Sequence, residues 1–290
     1  MQDASKPIWF KKEETKQNTD SFNFNNIKLL VATPVHSEVS IHYTESLLSL
    51  QGMGHSLGLN IDFLLLKSSL VTQGRNLCVA NFLGDPGKYT HMLFIDSDID
   101  FKFETIMKML KFDKEVIATP YPMKHIHWEQ IWERIQQGKI KTKDELMKAG
   151  FIYPIKMDNL MNENNKQISV VNGLIEVSHA PTGCMLIKRQ VFDKMIKEYP
   201  GDFIDQATIV NGEAKTNPYM YNFFDTIHEK ESKKYYGEDF GFCKKWTKIG
   251  GKCYCLIDEY ITHVGEYQYN GRLQDNLEIV KTVDDTDKNK

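Results

Sequence analysis

Ile27-Lys28-Leu29-Leu30-Val31-Ala32-Thr33 is a short, nearly continuous apolar run that stops at Pro34. Apolar residues at consecutive rather than alternate positions point to a strand buried on both faces, the kind found in parallel sheets covered by helices on either side. Similar runs recur at Ile61-Asp62-Phe63-Leu64-Leu65-Leu66, Met92-Leu93-Phe94-Ile95 and Val116-Ile117-Ala118-Thr119. Between them lie helix-like stretches. Residues 38–57 carry Leu47, Leu48 and Leu50, with a break expected near Gly52 and Gly54. Gln73 to Leu83 places Leu77, Ala80 and Leu83 at three-residue spacing, and Glu104 to Leu110 leads into the fourth run. This alternation predicts an α/β fold with a Rossmann-like, doubly wound sheet flanked by helices, in which ligands bind beyond the carboxyl ends of the strands.

Outside those runs the pattern changes. Residues 1–25 are polar and charged, an expected loose arm able to dock through Ile8, Trp9 and Phe10. Trp128 to Ala149 is charged and helical, with Trp128 and Trp132 one turn apart, able to stack on a sugar or base but expected to pack against the domain. Ile168 to Val177 and Gly183-Cys184-Met185-Leu186-Ile187 read as further strands. Val191, Phe192, Met195 and Ile196 share one helical face, and the last helix, Glu238 to Lys248, turns Phe242 and Trp246 inward before Gly250-Gly251 ends it. A single domain over residues 26–275 is expected, with a helical insertion at about 125–166 and a charged tail at 276–290.

Composition narrows the class. A chain of 290 residues buries a real core without disulfide staples. The five cysteines are odd in number, and Cys253 and Cys255 lack the spacing of a zinc knuckle or redox motif, so all are expected as reduced thiols, mostly in the core. Lys and Arg number 36 against 39 Asp and Glu, which gives no overall basic field for nucleic acid or an anionic membrane. No apolar run approaches the roughly 18 to 20 residues of a membrane span, and the start of the chain lacks a signal-peptide core. A cytoplasmic protein is expected, in the host cytoplasm if the source is viral.

Phe94-Ile95-Asp96-Ser97-Asp98-Ile99 carries the chemistry. Asp96 and Asp98 stand two residues apart where a buried strand ends, so both carboxylates can meet one hard cation such as Mg²⁺ or Mn²⁺ and bridge it to a diphosphate. The same pair would serve equally to punctuate a turn and cap the helix near Phe103. His263, in Thr262-His263-Val264-Gly265, offers an imidazole to the same ion. Glu238 and Asp239 open a helix, where the dipole favours the carboxylate, and one of them can act as a general base. Thr33-Pro34-Val35-His36 and Arg75-Asn76 fall where such a sheet receives a nucleotide, with Arg75 suited to phosphate or to Asp96.

In combination these segments resemble the GT-A glycosyltransferases, in particular a family-2-like group common in bacteriophages, large viruses and bacteria. The resemblance spans Lys28 to Gly271 and rests on Ala32-Thr33-Pro34, Gln73-Gly74-Arg75-Asn76, Leu93 to Phe101, Tyr121-Pro122-Met123-Lys124, Thr182 to Ile187, Gly237-Glu238-Asp239-Phe240 and Thr262 to Gly265. It implies a GT-A mixed sheet and transfer of a sugar from a nucleotide diphosphate donor, UDP-linked by preference, to a hydroxyl acceptor with inversion. It further implies Thr33, Pro34 and His36 at the base, Arg75 and Asn76 at the nucleotide, and Asp96 at the ribose. Asp98 and His263 would lie on Mn²⁺ or Mg²⁺, Thr182 and Gly183 beneath donor sugar and acceptor, and Asp239 beside Glu238 as the catalytic base. The segment His125 to Lys166 has no counterpart in the shortest members and is a candidate determinant of acceptor choice.

Two other classes share parts of this pattern. Sugar-nucleotidyltransferases share the sheet and an acidic metal site, but they carry a glycine- and arginine-rich loop where this chain has Thr33-Pro34-Val35-His36-Ser37-Glu38. A non-catalytic carbohydrate-binding module would need neither metal pair nor base. The acceptor is either a glycan or a hydroxymethylated base in phage DNA. Net charge speaks against DNA, whereas Lys139-Ile140-Lys141-Thr142-Lys143 speaks for it.

Overall fold

The computed structural model describes residues 9–13, 22–157, 167–210, 213–277 and 279–281. In chain order the first half holds β1 (Trp9–Glu13), β2 (Lys28–Val35), α1 (Ile41–Ser56), β3 (Asn60–Lys67), α2 (Val71–Leu83), β4 (His91–Ile95), β5 (Ile99–Asp100), α3 (Phe103–Phe112) and β6 (Val116–Ala118). Then come α4 (Trp128–Gln136), α5 (Lys143–Lys148), β7 (Gln167–Val171), β8 (Leu174–Val177), β9 (Cys184–Lys188) and α6 (Arg189–Glu198). The last part contributes β10 (Ala207–Val210), β11 (Glu213–Thr216), β12 (Ile227–Glu229), β13 (Lys234–Tyr236), α7 (Glu238–Lys248), β14 (Cys253–Leu256), β15 (Ile261–Val264), β16 (Gln268–Gly271) and β17 (Ile279–Lys281).

The central sheet runs in the order β17-β1-β7-β8-β14-β6-β9-β4-β2-β3. β3, β2 and β4 are parallel neighbours, as the apolar runs predict. β9 then inserts antiparallel between β4 and β6, which makes the sheet mixed. Alternate residues of each central strand face opposite cores. Leu30, Ala32, Met92 and Phe94 join Phe82, Phe192, Phe242 and Trp246 on one face, whereas Leu29, Val31, Leu93 and Ile95 join Tyr43, Leu50, Ile106 and Leu110 on the other. Helices thus cover both faces, and that is why the strands are apolar at consecutive positions. Each large side chain so enclosed contributes about 1.5–3 kcal/mol relative to exposure.

Several local expectations are corrected. α1 is one unbroken helix, because Gly54 lies against β3: a Cβ there would come 2.5 Å from Ile61 Cδ1, so the missing side chain is what lets helix and strand approach. Residues 9–13 of the expected loose arm form a strand, with Phe10 opposite Ile168 of β7 and Ile279 of β17, so backbone pairing ties this stretch and part of the tail to the sheet edge. Ile8 and residues 282–290 lie outside the described residues. Trp128 and Trp132 do not pack inward: they are 67% and 62% exposed. Only Ile131 of α4 is buried, so the helix docks by the opposite face. The five thiols are free and buried, as expected. Among the described residues no helix is long and apolar enough to cross a membrane.

Candidate functional site

Asp96-Ser97-Asp98 leaves the carboxyl end of β4, and its backbone is tied from several sides. Asp96 N donates to Gly183 O (3.0 Å), Ile99 N to Asp96 O (3.1 Å) and Ser40 N to Ser97 O (2.9 Å). The chain then enters the short strand β5, which pairs antiparallel with β15 so that Ile99 faces His263 and Asp100 faces Thr262. Val264 N closes the arrangement on Asp98 O at 2.7 Å. A three-stranded sheet, β16-β15-β5, therefore carries His263 to the loop that bears Asp98.

His263 Nε2 lies 3.5 Å from Asp98 Oδ2. Its Nδ1 is 3.0 Å from Pro122 O, a carbonyl that only accepts, so Nδ1 carries a proton and Nε2 is the ring nitrogen turned to the carboxylate. The carboxylate oxygen and the imidazole nitrogen are thus turned toward one another, where a proton or a cation can be shared between them. Ligand atoms on one Mn²⁺ or Mg²⁺ sit about 3 Å apart when each bond is about 2.1 Å, so this pair fits such an ion with a small adjustment. Lys124 Nζ, 2.6 Å from the same Oδ2, supplies positive charge in this structure. Burial alone would raise the Asp98 carboxyl, but the hydrogen bonds from His263 and Lys124 hold it down to about 2.

Asp96 is engaged elsewhere. The Arg75 Nη2 donates to its Oδ1 (3.0 Å) and Oδ2 (3.3 Å), and Arg75 Nε donates to Glu238 Oε1 (3.3 Å). Arg75 is buried on the ring of Phe94, 5.3 Å from its centroid, with Nη1 left without a hydrogen-bond partner. One guanidinium thus joins the Asp-x-Asp loop to the start of α7 and keeps a spare donor. Among the described residues no three His, Cys, Asp or Glu side chains gather as a cation cage, so the structure does not bring Asp96 together with Asp98 and His263 as ligands of one ion.

At the start of α7, Asp239 Oδ1 accepts from Phe240 N at 2.7 Å. Burial, and then the negative charge of Glu238, push its carboxyl up to about 6, despite Phe240 N and Arg75 pulling the other way. A carboxylate of that basicity exchanges protons near neutrality.

The remaining expected residues are placed as follows. Thr33 is wholly buried and its hydroxyl is bonded to Tyr43 OH at 2.6 Å, so its side chain anchors α1. Pro34 is half-buried and His36 is exposed at the strand end. The Asn76 amide holds the loop before β12: its Nδ2 donates to Phe224 O and Asn222 Oδ1, and its Oδ1 accepts from Phe224 N. Thr182 is buried. Gly183 backs the site because a Cβ there would lie 2.5 Å from Tyr121 Cε1.

Tyr121 and Lys124 also stand at this site, without a role legible in the sequence. Burial raises the Tyr121 hydroxyl, and the negative charges of Asp96, Asp239 and Asp98 raise it further against the opposing charge of Arg75. The Tyr121 ring meets the His263 ring edge-on at 4.9 Å. Their occurrence together in Tyr121-Pro122-Met123-Lys124, directly after a buried strand, was the available signal. A separate cavity of about 590 Å³, lined by Arg134, Lys139, Lys141, Lys148 and Asp275 among others, shares no residue with this site.

No family model and no curated protein matches the chain. Among solved structures, A197 from STIV aligns with 13% identity and a TM-score of 0.44, over 89% of this chain and 100% of that one. A glycosyltransferase involved in the glycosylation of the major capsid of PBCV-1 aligns with 9% identity and a TM-score of 0.30, over 60% of this chain and 67% of that one. Both likenesses are distant, and neither assigns a role to any residue here.

Proposed function

We propose that this protein is a metal-dependent glycosyltransferase of the GT-A type, which moves a sugar from a nucleotide diphosphate donor, UDP-linked in the first instance, to a hydroxyl of a glycan. The observation that carries this is the grouping, at one end of the sheet, of a cation-ready pair, Asp98 and His263, with a carboxylic acid, Asp239, of near-neutral basicity.

Asp239 would take the acceptor proton as the oxygen attacks the anomeric carbon, in a single displacement with inversion. Arg75 fixes Asp96 and Glu238 beside the site and brings positive charge there. Asp98 and His263 would hold Mn²⁺ or Mg²⁺, which when bound supplies positive charge to the departing diphosphate. Tyr121 packs directly on Gly183 beside these groups.

The test is release of nucleoside diphosphate from a panel of sugar nucleotides, with and without Mn²⁺, by the native chain and by Asp98→Ala. Metal-dependent hydrolysis of one donor that vanishes in the variant supports the proposal and identifies the sugar. No turnover and no binding of any sugar nucleotide overturns it in favour of a carbohydrate-binding module.

A further inference from the structure

Lys124 stands out among the lysines at the surface because the fold delivers it to a functional atom. The segment bearing it is strapped down on one side: Met123 N donates to Ile152 O (2.8 Å), His125 N to Met123 O (2.7 Å) and His127 N to Gly150 O (2.9 Å). Its stem lies along Gly265, two residues after His263, where a Cβ would come 3.1 Å from Lys124 Cδ and 3.3 Å from Cε. Any side chain at position 265 would press on that arm. The ammonium reaches Asp98 Oδ2, the same oxygen that His263 Nε2 faces. A lysine ammonium is a compact point charge with three donors, closer in form to a metal ion than a guanidinium is.

We propose that Lys124 is a built-in counter-ion that occupies the cation position on Asp98, so that a divalent ion binds this site only by displacing the ammonium. This rests on the metal site proposed above and adds a regulation to it. In the free protein the site holds its own positive charge and has low affinity for Mn²⁺. When Mn²⁺ takes Asp98 and His263, the displaced ammonium is released at the edge of the site, beside the position that the donor diphosphate would occupy. Charge balance favours the exchange only when both arrive: one carboxylate accommodates one cation, and two anionic phosphates accommodate the second. The ordinary alternative is a surface ion pair with no bearing on metal binding.

The experiment is titration of Mn²⁺ alone, with no nucleotide present, followed by the electron paramagnetic resonance of the free ion. Native protein, Lys124→Met, Lys124→Arg and the double variant Lys124→Met with Asp98→Asn are compared. An opposite charge at hydrogen-bond distance typically changes a carboxylate's proton affinity by about one to three pK units, so loss of the ammonium should strengthen Mn²⁺ binding by about tenfold or more. Lys124→Arg should stay close to native, and the double variant should lose the gain. With its side chain 37% exposed, Lys124 has room for substitution, and Lys124→Gln serves if the methionine variant does not fold.

Equal Mn²⁺ affinity in the native and Lys124→Met proteins overturns the counter-ion role, as does absence of Mn²⁺ binding in both. Tightened binding in Lys124→Met without turnover of any sugar nucleotide leaves the counter-ion role standing and removes the transferase assignment, so the two failures are told apart.

Discussion

His263 stands directly across from Ile99 in the β5–β15 register, and that pairing sets its Nε2 3.5 Å from Oδ2 of Asp98. Two residues far apart in the chain meet because one short antiparallel pair fixes both backbones. The ring's orientation is set separately, by Pro122 O on Nδ1.

If that geometry holds a cation, His263→Ala should weaken Mn²⁺ binding by about 10- to 100-fold while leaving the fold intact, as loss of one ligand or its orienting partner does elsewhere. Calorimetric titration of the folded variant checks this. Unchanged affinity would remove His263 from the site.

Arg75 should be among the least replaceable residues for stability. Its guanidinium is buried and serves both Asp96 and Glu238, so Arg75→Ala leaves two carboxylates facing each other and should cost about 3–5 kcal/mol in urea denaturation. Arg75→Lys should recover little, because an ammonium cannot reach both partners in the fork geometry. A loss under about 1 kcal/mol would contradict the structural role.

Asp239 couples stability to pH with a definite sign. Its native carboxyl is raised from 3.8 to about 6, so between those values the folded state holds more protons than the unfolded chain, and stability falls as pH rises through that window. Asp239→Asn should therefore stabilise the protein at neutral pH by about 1–2 kcal/mol, after discount for its partial exposure, and flatten the pH dependence. Turnover should behave oppositely: the native rate falls on the acid side with a midpoint near 6, and the variant is inactive. Thermal midpoints and initial rates across pH 4–8 separate the two effects.

Gly183 and Tyr121 should be coupled. A methyl group at Gly183 meets the Tyr121 ring at 2.5 Å, so Gly183→Ala should destabilise by about 1–3 kcal/mol. Tyr121→Phe keeps the clashing ring carbon and should not relieve it, whereas Tyr121→Ala should. A double-mutant cycle with an interaction energy near zero would place the ring elsewhere.

Trp128 and Trp132 should matter little to folding. Both are more than half exposed, and alanine at either position should shift unfolding free energy by less than about 0.5 kcal/mol. If α4 takes part in acceptor choice, the pair of substitutions lowers transfer to acceptor but leaves donor hydrolysis unchanged. Equal effects on both reactions would assign α4 no acceptor role.

Much of the fold was written locally. Runs of consecutive apolar residues marked β2, β4 and β6 because each strand is covered on both faces, and Asp96 and Asp98 were conspicuous because a buried strand ends beside them. Glu238 and Asp239 were visible as the acidic opening of α7. Local pattern misled at α1, where glycine's low helix propensity suggested a break that a close contact with Ile61 overrides. It misled again at Trp128 and Trp132, since helical spacing tells which residues share a face but not whether anything covers it.

The sequence by itself determined the alternation of strands and helices from β2 to β6, the carboxylates at the strand end, and the absence of a disulfide framework, since each follows from side-chain pattern over a few residues. Only the tertiary structure decided that β9 runs antiparallel between β4 and β6, that Arg75 binds Asp96 and Glu238 rather than solvent, and that Lys124 and His263 converge on one oxygen of Asp98. Those are pairings between segments distant in the chain, and their geometry is set by strand register and by which backbone groups are left to bond, quantities that no single segment contains.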